Sequence, residues 1–301
     1  MSGTIDPSPI ASNSLPTQRQ FSRQGQPQYT PWRPTCSAGL STGNGRLSAN
    51  GSRTDDDFGS IDPSLLPAGS KSLSGISLRA FLIGVVLGIS AVVAVLLSAV
   101  LHHPIWRLPC FLTSLSLFHF LEFYITARHN TRHADVSAFL LSSNGAAYNI
   151  AHGSAMAECL LTHWLFPSIN ILGKSKTVSN FTILIGLALM GIGQTVRTLA
   201  MAHAGSNFNH TIQVERKEGH RLVTDGVYRF LRHPSYFGFF WWGLGTQLMM
   251  QNVICFIGYT VVLWQFFSHR IHREEHYLVA FFGNQYIEYR KRTRVGIPFI
   301  P

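Results

Sequence analysis

Residues 236–268 are 33 consecutive positions without a single Asp, Glu, Lys or Arg. As one α-helix they would be ~50 Å long, too long for a hydrocarbon core of ~30 Å. Divided at Gln251-Asn252, they give two helices of ~24 Å each, slightly short but workable with interfacial ends. The spacing predicts a tight helical hairpin in the C-terminal half. Four further apolar runs precede it, at about 82–101, 105–127, 145–166 and 177–204. Only 13% of the 301 residues are charged, against about 25% in soluble domains. An ordinary soluble enzyme is excluded, and the fold class expected is an all-α integral membrane protein of about six transmembrane helices.

The remaining sequence divides around those runs. Residues 1–75 are rich in Ser, Gly, Pro, Asn and Gln and lack any helical or strand period. They cannot bury enough apolar surface to offset ordering entropy, so a disordered cytosolic N-terminal extension is expected there. Four transmembrane helices are expected over 76–204, and a catalytic region over 205–301. Basic residues cluster after spans two, four and six, while the intervening loops hold only Arg107, Lys174 and Lys176. The positive-inside rule then puts both termini and the 205–234 loop in the cytosol. The net charge of +10 is thereby a topogenic signal. No RNA- or DNA-binding module accompanies it, so nucleic acid is not an expected partner. The four cysteines, Cys36, Cys110, Cys159 and Cys255, have no C-x-x-C spacing, and no metal site is expected.

Polar chemistry is concentrated in the 205–234 loop and in the tail after span six. Arg270 and Glu274 are four residues apart, so one helical turn brings them to the same face, where they can pair. An arginine at the membrane–cytosol boundary suits an anionic, lipid-like substrate, because its planar fork binds a carboxylate bidentately. His272-Arg273-Glu274-Glu275-His276 also fits the H-x-x-E-H zinc pattern. It has no dedicated third ligand downstream other than Glu288, and metal hydrolysis is the weaker reading. Ionisable residues also fall inside the spans: Glu122, His152, Glu158 and Arg197. Arg197 is close enough to the cytosolic end to snorkel, and Glu158 reads as packing polarity between helices. Gly191-Ile192-Gly193 lies in an apolar helix without a preceding strand, so it is helix-packing material and not a nucleotide loop.

The ordered set of motifs is more specific than any one of them. It comprises Ala204-Gly205-Ser206-Asn207-Phe208-Asn209-His210, Gln213, His220-Arg221-Leu222-Val223-Thr224-Asp225-Gly226-Val227-Tyr228 and Arg232-His233-Pro234-Ser235-Tyr236-Phe237-Gly238. The ending adds Phe281-Phe282-Gly283-Asn284-Gln285-Tyr286 and Gly296-Ile297-Pro298-Phe299-Ile300. Together they resemble the isoprenylcysteine carboxyl methyltransferases, most strongly over 199–301. R-H-P-x-Y alone is shared with phospholipid N-methyltransferases and NADPH-dependent sterol reductases, which are the alternative readings.

The resemblance implies a multi-pass enzyme of the endoplasmic reticulum membrane. It would methylate the C-terminal carboxylate of prenylated CaaX proteins, such as Ras-like small GTPases, with S-adenosylmethionine as donor. It implies a cytosolic cofactor pocket from the loop after span four and the C-terminal tail. Gln213, His220, Arg221, Leu222, Val223, Tyr228, His233, Pro234, Ser235, Tyr236 and Glu274 would line that pocket. Arg270 would contact the prenylcysteine carboxylate, so Arg270 and Glu274 carry the catalytic expectation. Similar enzymes often have an acidic run before the Glu274-Glu275 pair, which His272 and Arg273 interrupt here. The aromatic stretch 237–242 is a candidate wall for the prenyl chain.

Overall fold

The computed structural model describes residues 62–141, 143–165, 176–216 and 218–301. Most of the expected disordered extension, residues 1–61, lies outside the described residues. Asp62 caps a 3-10 turn at Pro63–Leu65, and Ser72 caps the first long helix by accepting the Gly75 N–H at 3.1 Å. The helices in chain order are α1 (Leu73–Val95, continued by a π turn Leu96–Val100), α2 (Arg107–His129) and α3 (Gly145–Leu165). Then follow α4 (Lys176–Ala204), α5 (Pro234–Met250), α6 (Ile254–Phe282) and α7 (Asn284–Arg292). Among the described residues there is no strand, only an isolated bridge between Leu231 and Arg294. Among the described residues, three helical stretches are long and apolar enough to cross a membrane: Leu73–Val100, Pro104–His129 and Thr177–Asn207.

The break between α5 and α6 falls where the polar pair predicts it. Gln251 takes a left-handed conformation (φ 60°) that ends α5. The next helix is started from outside: the Glu158 carboxylate on α3 accepts the N–H groups of Val253, Ile254 and Cys255 at 2.7–2.8 Å. These are donors that a helix start leaves without partners, and an anion there also meets the positive end of the helix dipole. Glu158 is therefore polarity between helices, as its sequence position suggests. His152 adds a second α3–α6 tie through its hydrogen bond to the Tyr259 hydroxyl (2.7 Å).

Helices α4 and α5 touch along their backbones. A Cβ at Gly238 would lie 2.6 Å from the Gly193 carbonyl oxygen, and one at Gly186 would lie 2.4 Å from the Met249 nitrogen. Gly186 meets Gly245 and Gly193 meets Gly238, so the helices run antiparallel with small residues repeating every two turns. Lipid offers apolar side chains no reason to leave it, so close van der Waals approach through such residues is what joins helices. Gly193 is the packing member of the Gly191-Ile192-Gly193 run, because nothing lies within 4 Å of a Cβ at Gly191. Gly238→Ala is expected to cost about 1–3 kcal/mol, the range for overpacking, whereas Gly191→Ala stays within ~0.5 kcal/mol. Thermal unfolding of the two variants in detergent separates them.

The same face corrects the prenyl-wall expectation in part. Phe240 and Trp242 are 2% and 1% exposed, and Trp242 stacks on Phe118 of α2 with ring centroids 4.6 Å apart. They are core side chains. Helix packing claimed them because the glycines of α5 bring that helix into the middle of the bundle.

Candidate active site

The chain leaves α4 at Ala204, loops irregularly and re-enters the bundle at Pro234, the first residue of α5. Proline suits that position, since its missing N–H is one the helix would not use. The loop, the start of α5 and the far half of α6 line an open cavity of about 120 Å³. Ten of the expected cofactor residues line it: His220, Arg221, Leu222, Val223, Tyr228, His233, Pro234, Ser235, Tyr236 and Glu274. Gln213 does not. Its amide donates to the Thr211 carbonyl (3.2 Å) within an exposed turn, a local bond that holds the side chain along its own segment. Asn207, Leu278, Phe282 and Tyr286 also line the cavity. Phe282 and Tyr286 lie inside the motif runs, but nothing in their spacing marked them as wall residues.

Arg270 and Glu274 share a face of α6, yet no ion pair joins them among the described residues. Instead Arg270 Nε donates to the Tyr236 hydroxyl at 2.8 Å, and that hydroxyl donates to Glu274 Oε2 at 2.5 Å. Arg270 Nη2 donates to the His210 carbonyl. The expected direct pair is thus a relay through a tyrosine, because Tyr236 enters from α5 and fills the space between the two side chains. The guanidinium also lies over the Tyr236 ring, 5.4 Å from its centroid. Half-buried and without a carboxylate of its own, it sits one hydrogen bond from the cavity wall. His272 and Arg273 are exposed, so interrupting the acidic run leaves this relay in place.

Beside the relay lies a buried ion pair that sequence reasoning missed. Arg197 is 6% and Glu122 1% exposed. Their side chains pair bidentately, Nε to Oε1 and Nη2 to Oε2 (2.8 Å for the latter). Arg197 does not snorkel; it turns inward because Glu122 and Ser235 await it, with Nη1 donating to Ser235 Oγ at 3.0 Å. Since Ser235 lines the cavity, the pair underpins its floor. The His210 ring lies 3.8 Å from Glu122, and burial lowers its pKa, partly offset by the Glu122 charge. The signal that could have found the pair is two opposite charges in neighbouring spans, each about two turns from the same membrane face.

Glu275 anchors the tail. Arg232 Nε donates to it at 2.6 Å and His233 Nε2 lies 3.2 Å away, while Arg232 Nη1 reaches the Thr293 carbonyl at 2.9 Å. Burial works against ionisation of Glu275, but the hydrogen bonds and charges of His233 and Arg232 prevail and hold its pKa at about 2. A depressed carboxylate pKa contributes stability at and above the ordinary value of 4.5, lost as pH falls toward about 2. Glu275→Gln is expected to lower stability at neutral pH and to flatten the acid limb between those values. Tryptophan fluorescence of the wild type and the variant against pH tests both.

Burial raises the Tyr228 phenol well above its usual pKa, so its hydroxyl stays protonated and donates to the Ala200 carbonyl. Among the described residues no three His, Cys, Asp or Glu side chains gather as a metal site. The arrangement is a polar-lined hollow with a carboxylate on its wall and an oriented, unneutralised arginine beside it. It can hold a cationic ligand next to an anionic one.

Comparison with known proteins agrees with that geometry. Residues 184–280 match the family model for isoprenylcysteine carboxyl methyltransferases (ICMT). The chain is 47% identical over 190 residues to the protein-S-isoprenylcysteine O-methyltransferase of Saccharomyces cerevisiae, covering 63% of this chain and 79% of that one. To the human protein-S-isoprenylcysteine O-methyltransferase it is 39% identical over 225 residues, 75% of each. A solved structure of a eukaryotic intramembrane Ras methyltransferase superposes with a TM-score of 0.66 at 36% identity, covering 75% of this chain and 77% of that one. A hollow ringed by the loop motifs, with Arg270 poised over Tyr236, thus sits in a fold shared with those enzymes, and the chain belongs to the isoprenylcysteine carboxyl methyltransferase family.

Proposed function

We infer that the protein methylates the C-terminal carboxylate of prenylated proteins, with S-adenosylmethionine as methyl donor. The observation that carries this reading is Arg270, which is held by the Tyr236 hydroxyl and the His210 carbonyl but has no carboxylate partner among the described residues. Its charge is free for a substrate carboxylate. The cavity suits the donor: Glu274 is an acceptor for an ammonium or sulfonium, and Tyr228, Tyr236 and Phe282 give it aromatic walls. When bound, the donor supplies an electrophilic methyl group on a sulfonium.

A C-terminal carboxylate has a pKa near ~3.3–3.7, so at pH 7 it is already the nucleophile and needs no general base. That accounts for a site without a catalytic triad. What remains is orientation and exclusion of water. Arg270 directs the carboxylate, and Tyr236 fixes Arg270 through Nε, leaving part of the guanidinium fork for the substrate. Transfer of a methyl from a bound sulfonium to the carboxylate that Arg270 orients would cancel both charges. A dry pocket favours that change over hydrated ions. Glu274 draws on Tyr236 and so tempers the hold of Arg270, which keeps ground-state binding from offsetting turnover.

The six-span reading places α3 and the α5–α6 hairpin in the bilayer beside the three apolar helices. The cavity then opens to the cytosol and the protein resides in the endoplasmic reticulum membrane. A prenyl chain gains about 0.8 kcal/mol per buried CH₂ in lipid, so such a substrate enters from the side. Labelled S-adenosylmethionine, a farnesylated N-acetylcysteine and isolated membranes are expected to yield a base-labile methyl ester. Label in phospholipid headgroups instead, or reduction of a sterol with NADPH, would replace this reading.

A further inference from the structure

On the opposite side of Arg232 and Glu275 lies a second hollow, open to solvent, of about 900 Å³. It is bounded by residues 271–279 of α6 and by the segment after α7, and the methyl-transfer reading gives it no task. Its floor is apolar: Ile271, Val295, Ile297 and Ile300 are all buried. Its rim is cationic, carrying Arg290 and Arg294 with His272 and His276. The carboxylate in its wall, Glu275, already accepts from Arg232 and lies 3.4 Å from Arg290. No carboxylate among the described residues pairs with Arg294. Its backbone is pinned, accepting from Arg232 N–H at 3.0 Å, while its side chain is exposed.

The position of this hollow narrows its occupant. Trp264 Nε1 donates to the Pro298 carbonyl at 2.8 Å and Trp241 Nε1 to that of Gly296 at 3.2 Å. Both tryptophans come from the apolar hairpin, and tryptophan favours the headgroup level of a bilayer. Phe299 is 94% exposed at φ 60°, a left-handed conformation that residues with bulky side chains rarely adopt. The segment thus presents an aromatic side chain outward, next in sequence to the Pro298 carbonyl that Trp264 holds. A soluble anion would use the cationic rim and leave the apolar floor bare; a phospholipid uses both.

We propose that this hollow binds one anionic phospholipid, its phosphate against Arg290 and Arg294 and the start of its acyl chains over Ile297 and Pro298. The proposal rests on reading residues 236–268 as an intramembrane hairpin. The test is native mass spectrometry of the full chain, purified in detergent and exposed to equal amounts of phosphatidylserine and phosphatidylcholine. The wild type is expected to retain one phosphatidylserine in preference to phosphatidylcholine. One basic residue at an anionic lipid surface contributes about fivefold in affinity, so Arg294→Gln lowers retention about fivefold and Arg290→Gln/Arg294→Gln about 25-fold. The single variant removes no side-chain bond or ion pair found in the structure, so its folding is not at stake.

Unchanged retention in both variants, or equal retention of phosphatidylcholine, overturns the proposal. So does displacement of the lipid by inorganic phosphate, which would mark a free-anion site, or by a soluble acidic peptide, which would mark a protein-docking site. A fluorophore on Phe299→Cys, read with spin-labelled lipid in vesicles, checks the hairpin separately. Quenching without lipid retention overturns the lipid site alone, whereas an unquenched probe overturns the membrane placement and the site with it.

Discussion

Arg270→Ala lowers methyl transfer about a hundredfold or more while the protein still accumulates in membranes. A charge-assisted bidentate contact is worth about 1.5–3 kcal/mol, and loss of alignment adds to it, since small misplacements can cost about a hundredfold by themselves. Folding is spared because Arg270 is half-buried and its partners, the Tyr236 hydroxyl and the His210 carbonyl, remain within reach of water once it is gone. Tyr236→Phe is the informative companion. It keeps the ring beneath the guanidinium but removes the hydroxyl that joins Arg270 to Glu274, so a smaller loss of about tenfold is expected, near the worth of one hydrogen bond to a charged group. Initial rates with a farnesylcysteine acceptor, normalised to protein amount, measure both. Full turnover by Arg270→Ala would remove its assigned role.

Arg197→Met is expected to have the largest effect on stability, about 3–5 kcal/mol, because it leaves Glu122 charged and unpartnered inside the bundle. Against a marginal total of about 5–15 kcal/mol, that is enough to deplete folded protein. The double variant Glu122→Leu/Arg197→Met is expected to recover much of the loss, since an apolar pair of similar volume replaces a buried ion pair at little cost. Thermal unfolding of the two variants in detergent reads the coupling. Equal loss in the single and double variants would show that the pair contributes through shape and not through charge.

The helices were legible because long apolar runs, even those interrupted by a single charge such as Glu158 or Arg197, close their own hydrogen bonds as helices. The predicted runs at 145–166 and 177–204 match α3 (Gly145–Leu165) and α4 (Lys176–Ala204) to within about a residue at each end. The break between α5 and α6 was legible from the polar Gln251-Asn252 pair inside a 33-residue uncharged run. The walls of the cavity were legible from motifs, though Gln213 shows the limit: its amide bonds locally to Thr211 and it does not line the cavity.

What the sequence hid was partnership across helices. Arg270 and Glu274 have the right spacing for a direct pair, but spacing along one helix carries no information about a tyrosine arriving from another. Arg197 and Glu122 are 75 residues apart, and neither shows its partner in its own neighbourhood. Phe240 and Trp242 read as a candidate prenyl wall until Gly238 and Gly245 are seen to press α5 against α4.

The glycine contact has a consequence for how the loop between α4 and α5 is carried. Gly193 lies one turn before Arg197 on α4, and Gly238 lies three residues after Ser235 on α5. The roots of the loop on both helices are therefore clamped from beneath, like the two posts of a gate set in one footing. Stiffness in the loop is inherited from the helix contact that carries it, and a single methyl group wedged into that footing reaches the cavity wall without lining it.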